Sequence, residues 1–105
     1  MGLPVIATNW SGPTEYLTSD NGYPLPIEGL VPVREGAFKG HLWAEPSAVE
    51  LRLLMRRVKD EPVEAKAKGR QARLDMVRRY SPSVLASQVQ SLLAGIGANS
   101  LSDEL

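Results

Sequence analysis

The segment that most constrains this chain is Pro4-Val5-Ile6-Ala7-Thr8, a short apolar and partly β-branched run behind Gly2. Its composition predicts a strand of the kind buried on both faces of a parallel sheet. A strand of that kind needs neighbours on each side, and only three residues precede it. The expectation is therefore that something is missing before Met1.

The next residues read as the rest of a strand–loop–helix unit. Asn9-Trp10-Ser11-Gly12 predicts a loop, and Pro13 suits the first position of a short helix through Glu15, Tyr16 and Leu17. Asp20-Asn21-Gly22 signals a turn. Tyr23 to Ile27 can form a second strand, but Pro24 and Pro26 each remove a ladder donor and confine it to a sheet edge. Between Glu28 and Glu45, Val31, Val33, Phe38, Leu42 and Trp43 are scattered among Gly, Pro and charged residues with no clear period, so an irregular, partly packed loop is expected.

Helical signals dominate the second half. Ser47 and Glu50 form a capping-box pattern, and Leu51, Leu54, Met55 and Val58 fall on one helical face. Pro62 can open a second helix, in which Ala65, Gly69, Ala72 and Met76 make a stripe of small and flexible residues that lets another backbone come close. Ser81-Pro82 repeats the cap-then-proline signal before Val84, Leu85, Val89, Leu92 and Leu93, with Gly95 or Gly97 expected to end that helix. The division expected is one small domain over residues 1–97 and a disordered tail over 98–105. With so little sheet, a marginal or molten isolated domain is expected.

Composition narrows the function. Twelve basic and twelve acidic residues leave no net charge to draw the chain toward nucleic acid or anionic lipid. Nine of the twelve basic residues lie between Arg56 and Arg79 against four acids, which reads as a solvated helical face with pairs such as Glu64 and Lys68. The rival reading, a basic nucleic-acid patch, rests on that stretch alone. Without cysteine there are no disulfides, thiolate metal sites or cysteine catalysis, and the single His41 reads as a loop residue. No cofactor, metal site or catalytic residue is expected. No run approaches the roughly 20 apolar residues of a membrane span, and no signal-peptide pattern opens the chain, so a soluble, cytoplasmic location is the expectation.

The succession of motifs carries a resemblance. Gly2-Leu3-Pro4-Val5-Ile6-Ala7-Thr8 followed by Gly12-Pro13-Thr14-Glu15 resembles a signature of family 4 (group 1) glycosyltransferases. Asp20-Asn21-Gly22 resembles that family's turn before its next strand, Trp43 to Leu53 its acidic-Pro helix start, and Arg70 to Ser81 its Arg-rich helix with an aromatic-Ser end. The likeness runs in order from Gly2 to Leu93.

It implies an α/β fold: a partial, Rossmann-like carboxyl-terminal half of a GT-B domain, mostly helical, with one or two short strands. It also implies the carboxyl-terminal part of an enzyme that transfers a sugar from a nucleotide sugar to an acceptor. The family's paired-glutamate motif and its amino-terminal acceptor domain have no counterpart in this sequence, so inactivity of the chain alone is expected. Pro13 stands where the family often has a second glycine, and Trp10 is bulky for its place.

In open α/β sheets ligands sit beyond the carboxyl ends of the strands, which directs attention to Thr8, Asn9, Trp10, Ser11 and Gly12. Glu15 could meet a sugar or ribose hydroxyl. The substrate-binding candidates are thus Thr8, Asn9, Ser11, Gly12 and Glu15. Each has a plainer reading: Gly12 serves the turn itself, Glu15 complements a helix dipole, and the whole segment is a strand-to-helix connection. An alternative function is a non-catalytic module that binds another protein through exposed apolar surface, especially on the last helix.

Overall fold

The computed structural model describes the backbone of residues 1–104 and the side chains of residues 1–97. The fold is α/β and mostly helical, with a few short strands in two small sheets. It divides into two compact units, Met1–Arg73 and Leu74–Leu105.

In the first unit β1 (Ile6–Thr8) pairs in parallel with β2 (Tyr23–Leu25), Ile6 opposite Tyr23 and Thr8 opposite Leu25. The Tyr23 N–H donates to the Val5 carbonyl at 2.9 Å and the Asn9 N–H to the Leu25 carbonyl at 2.8 Å. Alternate residues of a strand turn their backbone groups to opposite edges, so Pro24 sets its missing donor on the edge away from β1. On that same edge the Pro26 carbonyl accepts the Ser47 N–H at 3.1 Å. The expected edge strand at Tyr23 is present but ends at Leu25, since Ile27 belongs to a separate pairing.

The expectation of complete burial for the first strand does not. The sheet has only two strands, Ile6 to Thr8 are half-buried, and Leu3 and Val5 are exposed. An apolar run records what a strand is able to bury. How much it does bury depends on how many elements pack on it, and β1 is paired along one edge only.

A second correction concerns residues 28–45, which hold an antiparallel hairpin in place of an irregular loop. β3 (Ile27–Pro32) pairs with β4 (Leu42–Pro46), with Val31 opposite Trp43 and Gly29 opposite Glu45. The period of two is present: Ile27, Gly29 and Val31 are half-buried while Glu28, Leu30 and Pro32 are exposed. Gly29, Pro32 and a register shift between Ile27 and Gly29 conceal it in the sequence. The connection is closed by Val33 N–H to the His41 carbonyl at 2.8 Å and Gly40 N–H to the Val33 carbonyl at 3.0 Å. Gly36 and Gly40 both take φ of 89°, which their lack of a Cβ permits.

α1 (Ala48–Asp60) begins where the capping pattern puts it, the Ser47 hydroxyl accepting the Glu50 N–H at 3.2 Å. Leu54 and Val58 of its apolar face are half-buried, whereas Leu51 and Met55 are exposed. α2 (Pro62–Tyr80) opens on the expected proline. Ala65 and Gly69 are its buried residues, and Gly69 lies against the backbone of Gly2 and Leu3. Among the described residues, the buried apolar set of this unit is Leu17, Tyr23, Leu25, Val33 and Ala65.

The second unit holds the end of α2 and α3 (Pro82–Glu104). The Ser81 hydroxyl accepts the Val84 N–H at 3.4 Å and its carbonyl the Leu85 N–H at 3.0 Å. α3 continues past Gly95 and Gly97, where the sequence suggests a stop. Neither glycine takes a positive φ. Inside a helix a glycine costs only about 1 kcal/mol relative to alanine, which weakens a helix without ending it. Of the expected tail at 98–105, Leu105 and all the side chains lie outside the described residues. Among the described residues no helix is long and apolar enough to cross a membrane.

Candidate functional site

The candidate residues form one surface loop at the carboxyl end of β1. Thr8 ends the strand and is half-buried; Asn9, Ser11, Gly12 and Glu15 are exposed. The loop is tied at both ends. The Asn9 backbone is held to Leu25, and the Trp10 N–H donates to the Thr8 carbonyl at 2.9 Å. Beyond it, a short 3-10 helix (Gly12–Glu15) replaces the longer helix expected through Leu17, and the Pro13 carbonyl accepts the Leu17 N–H at 2.8 Å.

Ser11 is the one non-glycine residue with positive φ among the described residues, at φ 58° and ψ −134°. Side chains with a Cβ avoid this region, and a residue held there costs of order 1–3 kcal/mol. The surrounding bonds enforce it: the Ser11 carbonyl accepts both the Thr14 N–H at 3.0 Å and the Thr14 hydroxyl at 2.6 Å. Gly12 has an ordinary φ, and a Cβ built on it would meet nothing within 4 Å. The conformational demand that the sequence suggests for Gly12 therefore falls one residue earlier.

Chemically, the loop offers hydroxyls at Thr8 and Ser11, an amide at Asn9 and a carboxylate at Glu15, the only ionisable side chain in residues 8–15. Such groups can accept from and donate to the hydroxyls of a polar ligand. General acid–base catalysis needs a proton donor and acceptor placed together, and this segment contains no such pair.

The turn after the short helix is braced by two side chains. Asn21, 3% exposed, accepts the Thr18 N–H on Oδ1 at 2.7 Å and donates from Nδ2 to the Tyr16 carbonyl at 2.8 Å. Lys68 reaches across from α2, donating from Nζ to the Gly22 carbonyl at 3.1 Å and to the Ser19 carbonyl. The pairing of Glu64 with Lys68 read from their spacing is present at 3.9 Å. Lys68 is nevertheless only 13% exposed and gives its donors chiefly to the turn carbonyls. That role is not legible locally, since the carbonyls lie 46 and 49 residues away in sequence.

Tyr23 links these parts. It is 2% exposed, Lys68 Nζ lies 4.5 Å from its ring centroid and the Arg57 guanidinium 5.8 Å. Among the described residues its hydroxyl has no hydrogen-bond partner. Burial raises the Tyr23 phenol above its ordinary range, with the charge of Glu64 adding to the rise. Arg57 binds Glu64 through two contacts, Nε to Oε2 at 3.0 Å and a terminal nitrogen to Oε1. That pairing holds the Glu64 carboxyl below the usual carboxylate range, while hydrogen bonding to Glu64 raises Glu61.

His41 is exposed, its ring edge-on to Phe38 at 6.0 Å. Among the described residues no group of three or more His, Cys, Asp or Glu side chains could hold a metal ion. No protein-family model, curated protein or solved structure matches the chain.

Proposed function

We propose that this chain is the carboxyl-terminal, donor-side part of a nucleotide-sugar-dependent glycosyltransferase of the family 4 type, a Rossmann-like portion of a GT-B enzyme working in the cytoplasm. In this reading Thr8, Asn9, Ser11, Gly12 and Glu15 contact the sugar or ribose of the donor. The observation that carries it is the strained, exposed Ser11 in the loop that leaves the carboxyl end of a parallel strand. Strain that neighbouring bonds maintain is concentrated at ligand-contacting positions. This loop lies within Gly2 to Glu15, the first of the motifs whose succession carries the resemblance. The loop supplies binding groups only, so transfer itself falls to other parts of a complete enzyme and the chain alone is inactive.

The test is calorimetric titration with uridine diphosphate glucose and guanosine diphosphate mannose, using the parent chain and Glu15→Gln and Thr8→Val variants. Saturable heat with one donor that weakens about tenfold in either variant supports the reading, a loss of about 1.4 kcal/mol. Equal binding by parent and variants, or none, rejects it.

A second reading, a protein-interaction module, is favoured by α3. Its Leu85, Val89, Leu92, Leu93 and Ile96 are between 42% and 68% exposed, an apolar stripe of the kind that partners cover.

A further inference from the structure

The hairpin carries a feature that the donor loop does not use. Trp43 is 56% exposed on β4 and borders two adjoining depressions, of about 750 Å³ and about 380 Å³, that share Val33, Glu35 and Trp43. The larger is also lined by Arg34 and Glu45, and the smaller reaches Phe38, 69% exposed. Both volumes fall in the range of about 300–1,000 Å³ typical of small-molecule sites.

Cross-strand pairing puts Trp43 opposite Val31 and Glu45 opposite Gly29, so these four positions share a face of the hairpin. Gly29 places no side chain beside Glu45, and a Cβ built on it would meet nothing within 4 Å. The indole and the carboxylate thus border open space in which a ring could lie.

We propose that this groove binds a neutral saccharide chain. A sugar ring presents C–H groups, polarised positive by their oxygen substituents, along one face and hydroxyls around its rim. The negative face of an indole suits the former. The carboxylates of Glu35 and Glu45 accept from hydroxyls, and the Arg34 guanidinium donates to hydroxyl and ring oxygens. Two carboxylates against one guanidinium disfavour a phosphorylated ligand. Carboxylates are also depleted from the centres of protein–protein interfaces, which argues against a protein partner here. A second exposed aromatic, Phe38, in the adjoining depression suits a chain of sugars over a single ring.

The test monitors the indole and backbone N–H signals of the chain by two-dimensional NMR while maltohexaose, cellohexaose and, separately, spermine are added. The signals of Trp10 and Trp43 are assigned with Trp10→Phe and Trp43→Leu. Expected is a saturable shift of the Trp43 signal with one hexaose, at a Kd of about 1 mM for so open a site. Trp43→Leu should weaken binding about tenfold or more, and Glu45→Gln measurably. An unchanged amide spectrum in Glu45→Gln keeps folding out of the comparison. The proposal is overturned if neither hexaose moves Trp43, if Trp43→Leu binds as the parent does, or if only spermine binds. Because the hexaoses carry no nucleotide, the result stands apart from the donor-loop titration.

Discussion

Gly69 lies so close to Gly2 that a Cβ on Gly69 would stand 2.1 Å from the Gly2 carbonyl oxygen. Two effects of Gly69→Ala oppose each other. Helix propensity favours alanine by about 1 kcal/mol. Forcing backbone from backbone in a packed contact costs about 1–3 kcal/mol or more. The obstacle is main chain and cannot swing aside, so net destabilisation of about 1–2 kcal/mol is expected in urea unfolding. A gain in stability would show that α2 does not press on Gly2.

Lys68 gives the second prediction. Replacing it with Met keeps most of the buried stem and leaves the Gly22 and Ser19 carbonyls without their cationic donor. Charge-assisted bonds of this kind are worth about 1.5–3 kcal/mol, so a loss near 2 kcal/mol is expected. Arg57→Ala removes a half-exposed, solvent-screened ion pair and should cost clearly less than the Lys68 change. Chemical denaturation of both variants checks the ordering.

Tyr23→Phe removes a buried hydroxyl that makes no hydrogen bond to the described residues. The change should be neutral or stabilising by up to about 1 kcal/mol at pH 7. The pH dependence has a definite sign. A phenol whose pKa is raised on folding contributes stability that is full below the unfolded value of about 10 and is lost as pH rises through the folded value. The parent should therefore lose stability faster than the variant in the alkaline range, as measured by unfolding at stepped pH.

Ser11→Gly relieves a backbone conformation at φ 58° that a Cβ disfavours. The gain is about 0.5–1 kcal/mol, because the extra freedom of glycine in the unfolded chain offsets part of the strain. Ser11→Ala keeps the strain and should show no gain. If the strain serves ligand contact, the glycine variant binds donor more weakly while melting higher, and paired thermal and binding measurements show both.

Signals in the sequence are sound where the chemistry is local. Ser47 with Glu50, Pro62, and Ser81-Pro82 each mark a helix start that the structure contains. The small residues Ala65 and Gly69 announce a close approach, and Gly2 is what approaches. The hairpin is hidden because Gly29 and Pro32 interrupt its alternation and its strands meet across a long loop. The candidate loop is visible by its place after β1, but the strain at Ser11 is not, since nothing in Trp10-Ser11-Gly12 says which residue turns. The bracing role of Lys68 is equally hidden, because its partners are set by the tertiary fold.

The reading of residues 8–15 as the donor-contacting loop of a glycosyltransferase is tested most directly by a two-dimensional NMR titration of the chain with uridine diphosphate glucose and guanosine diphosphate mannose. Saturable shifts confined to Thr8 through Glu15 and the adjoining Leu25 are predicted for one of them. No shift with either donor, or shifts that bypass this loop, would contradict it.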